Sequence, residues 1–587
     1  MMNTPDHGKV FLKLIKEYKA RIAVLSLLVL FSSLSFFAIP YFLRPLVDGA
    51  FIGKDIGKFI RVSCVSVCLF LCGLLLKAAG DMFRNKFYTG MKSALSGRFA
   101  AKLYSFDMAY FERSQAGENV FRFADIGVLV NFICENLPVL LADSVKLLAI
   151  IAVCLYLDAG MALLLASALV LFAAQGFLLR RRTAAVYRQL WEKNAAFSAE
   201  LAESFSKMMI IKALHLEPYR IARFIVTLRE SISSENKSLR WNLLVSLYVS
   251  LWTAAVGAAI VFYGGMQVVR GGLSFGTYTV IMAYAALSTG VLNSVSERLL
   301  FAGKSAVSIR NVFSVLGEDN TQLPGGAAFG RFLSAKGEFC FTDVSFGYNR
   351  ERAVLKGLTL RIPPASFTAF TGPSGCGKTT VINLMLRLYG PLREGRITLD
   401  GIDLENIHPF DLRRVIAIAA QQPALFNASI RENIACETGP VDEDAVVSAA
   451  VTAAAHEYIM SLPKRYDTRI GEDGCRLSQG LKQRIAIARA VYRKPYVLIL
   501  DEATSSVDSQ TEESIFAALK EKRRGMSTLV VSHRLSSVRG ASRIFFLKDG
   551  RVAAEGAHEE LLRNERAYSD FFHYQMLKEN YETGERP

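Results

Sequence analysis

The chain has 587 residues, too many for one domain; 51% of them are hydrophobic and the mean hydropathy is +0.27, which excludes an ordinary soluble globule. A net charge of +16 leaves two classes open, a nucleic-acid binder or a membrane protein with basic cytoplasmic loops. Nine cysteines show no metal-ligand spacing and no dense disulfide framework; Cys64, Cys68 and Cys72, on one helical face, read as buried structural thiols in preference to a soft-metal site.

In chain order, the polar start MMNTPDHGKV predicts no cleavable signal peptide. Residues 9–20 alternate Lys with Leu, Ile and Phe at helical spacing, which predicts an amphipathic helix on a membrane surface. Six apolar stretches follow, at 22–43, 59–80, 137–157, 159–179, 243–269 and 275–296, each long enough to cross a bilayer. The first, third and fifth gaps are short. The second and fourth are long and basic, with Arg84, Lys86, Lys92, Arg98 and Lys102 in one and Arg180, Arg181, Arg182, Arg188 and Lys193 in the other. The excess of cations puts both long gaps, and with them both termini, in the cytoplasm. The basic charge is thereby spent on topology, and nucleic acid is excluded as a partner. Few helix breakers interrupt the long gaps, so each predicts a helical hairpin reaching on the order of 40 Å beyond the bilayer. Its tips are expected near Tyr110–Asn119, with Gly117 as breaker, and near Leu214–Tyr219, with Pro218. Polar residues in or near the spans (Arg44, Lys77 with Asp81, Asp143 with Lys146, and Asn293, Glu297 and Arg298) are read as structural pairs before substrate contacts.

Residues 317–336 read as a linker. From Gly337 the pattern turns to soluble α/β. Phe339–Phe346 and Leu355–Ile362 predict a strand pair, and Tyr348 is an aromatic placed to stack on a base. Phe367–Thr371 predicts a buried strand and Val381–Tyr389 a helix. Between them stands Gly372-Pro373-Ser374-Gly375-Cys376-Gly377-Lys378-Thr379-Thr380, the full P-loop pattern in its strand–loop–helix context. Its backbone N–H groups can cradle phosphates, Lys378 can neutralise them and the Thr379 hydroxyl can ligate Mg²⁺. Val497–Leu500 predicts a strand ending at Asp501-Glu502, the edge where an open α/β sheet binds ligands. Asp501 can hold Mg²⁺, and Glu502 can act as general base toward water. Thr528–Val531 ends in Ser532-His533, whose imidazole can reach a γ-phosphate.

With these parts in order, the chain resembles ABC transporters of the exporter-type, or type IV, fold. The resemblance covers essentially the whole chain, and its motifs are specific in combination. It implies a helical transmembrane domain (1–316), the linker (317–336) and an α/β P-loop ATPase domain (337–587). Tyr348 is similar to the A-loop aromatic and Gln421 to the Q-loop glutamine that touches Mg²⁺. Glu472 resembles the X-loop, Leu477 onward the signature motif, Asp508 the D-loop and His533 the H-loop switch. The arm tips resemble coupling helices. The signature departs from its usual LSGGQ: Gln479 stands for the first Gly and Leu481 for Gln, while Ser478 and Gly480 are kept to face the ATP of an opposite domain. Loss of the polar side chain at 481 is expected to weaken closure without abolishing it. A chain with one P-loop and one signature implies a dimer, a homodimer or a pair with a sister half-transporter, in a bacterial inner or plasma membrane. The implied activity is ATP- and Mg²⁺-dependent export of a lipid, drug-like molecule or peptide by alternating access. An importer on the same fold, as for metal–siderophore complexes, and a non-transporting ATPase or regulator are the alternatives; no processing-peptidase segment is expected.

Overall fold

The computed structural model describes residues 7–114, 116–317, 336–349, 352–471, 474, 477–522, 525–532 and 534–583. Its residues group into two compact units, 1–106 with 110–321 and 107–109 with 322–587. The expected linker falls, from 318 to 335, outside the described residues.

The first unit is helical: α1 His7–Ala38, α2 Ile56–Tyr104, α3 Met108–Arg113, α4 Ala116–Asn131, α5 Leu137–Leu157, α6 Ala159–Ser206, α7 Met208–Ala213, α8 Glu217–Val269 and α9 Phe275–Leu316. Each short gap ends by delivering a cap to the next helix. The side chains of Asp55, Asp158 and Ser274 accept from the N–H groups of Lys58 (3.0 Å), Met161 (2.8 Å) and Thr277 (3.1 Å), satisfying donors that a helix start leaves open. Asp48, in the first gap, also accepts from Ser274 Oγ (2.6 Å) and Gly276 N (2.8 Å), tying the first gap to the fifth. Among the described residues, five helical stretches are long and apolar enough to cross a membrane, in Val10–Phe51, Ile56–Tyr104, Glu118–Leu157, Glu217–Val269 and Phe275–Leu316. The remaining expected crossing, 159–179, lies in α6, where most side chains of 168–177 are outside the described set. The arms are real: α2 beyond residue 80 is about 36 Å long, and α6 beyond 179 about 40 Å. They are pinned by the buried Asp125, which accepts from Trp191 Nε1 (3.0 Å), Ser308 Oγ (2.7 Å) and Asn311 Nδ2 (2.8 Å), joining α4, α6 and α9.

Five expectations for this unit need correction. Residues 9–20 are not a separate surface helix. Nothing between Ala20 and Ile22 breaks the helix, and α1 runs on into the first span until Pro40 opens a 3₁₀ turn, Ile39–Phe42. Its apolar side packs on protein: Leu14 is buried, Phe11 lies 6.4 Å from Phe132 and from Phe313, and Arg98 forks onto Glu17 (2.5 and 2.9 Å). Cys64, Cys68 and Cys72 are exposed, on a helix that also turns Val65, Leu71 and Leu75 outward, as lipid permits. Asp81 pairs with Arg84 (3.3 Å) instead of Lys77. The first arm turns at α3, starting two residues before Tyr110; Gly117 lies inside α4, and its surroundings are outside the described residues. The second turns at α7, and Pro218 starts α8 instead of breaking a helix, its missing N–H costing nothing there. The pairing of Asp143 with Lys146 is present at 2.5 Å.

The second unit holds two sheets. Strands β1 Phe339–Phe346, β2 Leu355–Ile362, β4 Glu394–Leu399 and β5 Ile402–Asp403 form an antiparallel sheet in the order β2-β1-β4-β5. The other sheet runs β10-β9-β3-β8-β7-β6, from β3 Phe367–Thr371, β6 Ile416–Ala419, β7 Val497–Asp501, β8 Ser527–Val531, β9 Arg543–Lys548 and β10 Arg551–Gly556. It is parallel except for β10. Strand β7 shows why the sequence reads as an unbroken aliphatic run: Val497 and Ile499 enter one core, Leu498 and Leu500 the other, so both faces are covered. The helices that matter below are α10 Lys378–Met385, α11 Gln479–Tyr492 and α12 Ser509–Glu521. The helix expected to reach Tyr389 stops at Met385, and Arg387 takes a left-handed φ of 50°.

Candidate functional site

Strand β3 feeds directly into the P-loop. Gly372 has φ 144°, and a Cβ there would come within 2.1 Å of the Leu547 carbonyl oxygen on β9, so only glycine passes. No side chain caps α10, which leaves its first-turn N–H groups for an anion. Lys378 is only 7% exposed; its ammonium donates to Gly372 O (2.8 Å) and Pro373 O (3.1 Å) and lies 3.7 Å from Cys376 Sγ, so the charge is held inside the loop. Pro373, Ser374, Gly375 and Thr379 are exposed, while Cys376 and Thr380 are buried. Tyr348, exposed, is anchored one turn away: its hydroxyl lies 3.1 Å from Thr380 Oγ1 and accepts from Asn383 Nδ2 (3.1 Å). Its ring stands edge-on to Tyr389 (4.9 Å). A fixed, exposed aromatic beside a phosphate cradle suits a planar base.

The acid pair sits at the same sheet edge. Strand β7 is one residue longer than expected, so Asp501 still pairs with Val531. Glu502 then turns the chain sharply with φ 46°, an uncommon conformation for a non-glycine residue, held by its N–H donating to Val531 O (2.8 Å). Gln421, two residues beyond the neighbouring β6, donates through Nε2 to Glu502 Oε2. Burial, then the adjacent Glu502, pushes Asp501 up to about 6, with Lys378 opposing. Such a carboxylate gains from a cation. The donors available, the Asp501 carboxylate, the exposed Thr379 hydroxyl and the Gln421 amide oxygen, are all hard oxygens, and no group of three or more His, Cys, Asp or Glu forms a closed cage among the described residues. That set fits Mg²⁺, which takes few protein ligands and completes its shell with phosphate and water.

Residues 22–292 match the family model described as ABC transporter transmembrane region, and residues 355–505 that described as ABC transporter. An ATP-dependent lipid A-core flippase of Syntrophus aciditrophicus is 30% identical over 582 residues, 96% of this chain and 93% of that one. A second flippase of that name, from Chromobacterium violaceum, is 31% identical over 540 residues, 91% of each chain. The chain belongs to the ABC transporter family. A solved structure of a bacterial Atm1-family ABC exporter with ATP bound shares the fold, with a TM-score of 0.85 at 24% identity, covering 95% of this chain and 98% of that one. This ABC transporter is thus a multi-pass membrane protein of the exporter type that binds nucleotide and couples ATP hydrolysis to transport.

The rest of the ABC constellation is distributed differently. Ser478 caps α11, accepting from Leu481 N–H at a long 3.4 Å, and Ser478 and Gln479 are exposed. Gly480 passes so close to the loop before α12 that a Cβ would meet Ser506 O at 2.7 Å. Leu481 is fully buried, in the same hydrophobic core as Ile485 and Leu500. Among the described residues no hydrogen bond joins Ser478, Gln479 or Gly480 to the P-loop. Asp508 caps α12 by accepting from Thr511 N–H (2.9 Å), a bond that holds its carboxyl below the usual range. His533 and Glu472 lie outside the described residues.

Two buried polar side chains escaped the sequence reading of this ABC transporter. Gln483, on α11, donates to Ser505 Oγ (2.9 Å) and accepts from Ser506 N–H (2.9 Å), fixing the loop that leaves Glu502. Glu512, on α12, accepts from Thr504 Oγ1 (2.6 Å), Ser536 Oγ (3.0 Å) and Ser537 Oγ (2.6 Å). It links that loop to the short helix Leu535–Arg539 that follows β8. The signal for Glu512 was a carboxylate four residues into a helix whose capping residue, Asp508, had been singled out.

Proposed function

We propose that this protein exports an amphipathic substrate, a lipid, drug-like molecule or peptide, by alternating access, as a homodimer in a bacterial inner membrane with both termini cytoplasmic. The observation that carries the substrate class is a cavity of about 510 Å³ among α1, α2, α5 and α9. Leu25, Leu28 and Phe36 make it apolar, while Lys77, Glu135 and the Asp143–Lys146 pair give it fixed charge. Asp143, nearly fully buried, also accepts from Ser294 Oγ (2.7 Å), and Glu135 pairs with Arg298 (3.2 Å). Such a lining suits a molecule with both an apolar body and a polar head. The flippase names of the relatives favour a lipid.

In the proposed cycle, Tyr348 stacks on adenine, the P-loop amides and Lys378 hold the phosphates, and Thr379, Gln421 and Asp501 would hold Mg²⁺, which supplies charge neutralisation. Glu502 takes the proton of a water whose oxygen bonds to the γ-phosphorus as the bond to the β–γ bridging oxygen breaks; Gln421 orients Glu502, and His533 contacts the γ-phosphate. Ser478, Gln479, Gly480 and Asp508 face the nucleotide of the second copy, which is why one chain is half a machine. Inside-out vesicles containing the protein, given ATP and a panel of fluorescent lipids, dyes and peptides, should accumulate an amphiphile in their lumen. Movement out of the lumen, or no ATP-dependent movement of any amphiphile, would refute the reading.

A further inference from the structure

A second cavity, of about 690 Å³, lies between α6 and α8 where the fourth and fifth crossings meet the arms. Arg182 from α6 and Arg229, Lys237 and Arg240 from α8 line it, and no carboxylate does. Of the acids beside it on α8, Glu230 is engaged by Lys193 (2.7 Å) and Glu235 does not line the groove. Cations near a membrane boundary follow from topology alone; the arrangement of these does not. Trp241 forms a buried floor, its Nε1 donating to Thr183 Oγ1 (3.1 Å), and the Arg182 guanidinium lies 4.7 Å from its ring. That cation–π contact holds Arg182 at the mouth. Lys237 is fixed by donating to Gln189 Oε1 (2.8 Å). Arg229 and Arg240 make no hydrogen bond or ion pair among the described residues. Four like charges gathered on a rigid wall without a counter-charge repel one another, and an anion relieves the repulsion.

The depth of the groove selects among anions. The apolar run of α8 begins at Leu243, two residues beyond the Trp241 floor, so the Arg182–Arg240 end lies at headgroup level, while Arg229 is about 16 Å further along the arm. Leu243, Leu247 and Leu251 form an exposed stripe leading away from the same end into the span. A soluble phosphate compound has no use for that stripe. We propose that the groove binds the phosphate headgroup of an anionic phospholipid, from the leaflet on the side of the arms, with its acyl chains along these leucines.

The test uses the full-length protein in phosphatidylcholine nanodiscs with and without cardiolipin, and counts retained cardiolipin by mass spectrometry. Arg182→Gln with Arg240→Gln should lower retention roughly thirtyfold, about fivefold per removed charge. Lys16→Gln with Lys19→Gln removes the same charge from exposed positions on α1 and should leave retention unchanged; equal loss in both double variants overturns the proposal, as does no loss in the first. If the groove double variant does not assemble, Arg240→Gln alone, an exposed side chain at the headgroup end with no partner among the described residues, should show the about fivefold loss, and unchanged retention in it overturns the proposal. A free-pyrophosphate arm separates the sources: if pyrophosphate displaces all cardiolipin and binds equally in its absence, the ligand is a soluble phosphate and the lipid assignment falls. Because bound lipid and not turnover is read, failure here leaves the export reading untouched.

Discussion

Glu502→Gln isolates a single event in the ATPase cycle. The amide keeps the size of the carboxylate, its Oε1 can still accept from Gln421 Nε2, and the backbone N–H still donates to Val531 O. The fold therefore loses little, and what disappears is the proton acceptor. General-base removal costs about 10²–10⁴ in rate, or about 2.7–5.4 kcal/mol of barrier at ~1.36 kcal/mol per decade. A second effect works in the opposite direction on binding. Glu502 is the like charge that helps raise Asp501, so its neutralisation leaves Asp501 more readily ionised and a better partner for a cation. Turnover should collapse while nucleotide retention holds or rises. Phosphate release and the nucleotide retained after gel filtration, measured on one preparation, check both halves. Parental turnover would refute the base assignment and turn attention to His533; loss of retention in step with turnover would refute the separation of roles.

Other outcomes follow from the same geometry. Lys378→Ala removes the only ammonium held in the loop, and should lower nucleotide affinity together with turnover in a titration with a fluorescent ATP analogue. Gly372→Ala drives a methyl group into the Leu547 carbonyl and should destabilise the ATPase unit by about 1–3 kcal/mol, seen as a lower melting transition of the full chain. Asp125→Ala strands the buried Ser308 hydroxyl, at about 1–3 kcal/mol if unmet, and the half-buried donors of Trp191 and Asn311; thermal unfolding in detergent should shift further than for Asp55→Ala, which loses a single exposed helix cap. Gln483→Leu keeps the volume but unpairs Ser506 N–H, so hydrogen exchange at 505–507 should speed up about tenfold, for a lost bond of ~1–1.5 kcal/mol.

The P-loop, the acid pair and their strands were readable because each depends on contiguous residues: Gly372 and Lys378 lie within one turn of chain, and Val497–Leu500 declares a doubly buried strand. The caps Asp55, Asp158 and Ser274 mark the short gaps for the same reason. What was misread depends on partners distant in sequence. Residues 9–20 carry a surface-helix pattern, yet Phe11 meets Phe132 and Phe313, which no local spacing encodes. Lys77 and Asp81 have pairing distance along α2, but Arg84 competes for the same carboxylate and is nearer. Leu481 is read from the motif as a missing polar group, and that its side chain turns inward depends on the core around it. Gln483 and Glu512 were missed because a buried polar side chain declares itself only by the donors it satisfies.

Helix α8 runs for 53 residues, with its one proline in the first turn, and is gripped near its middle by the Thr183–Trp241 bond and the Arg182 stack. From Trp241 it extends about 36 Å toward the arm tip and about 42 Å toward its opposite, apolar end. Mechanically this is a lever with a central fulcrum and nearly equal limbs. A tilt of about 5° displaces the tip by about 3 Å and the far end by a little more, in the opposite direction. Such a rod passes stroke with little change in size, and the arm tip and the membrane-embedded end then move in antiphase by construction, while the level of Trp241 stays nearly still.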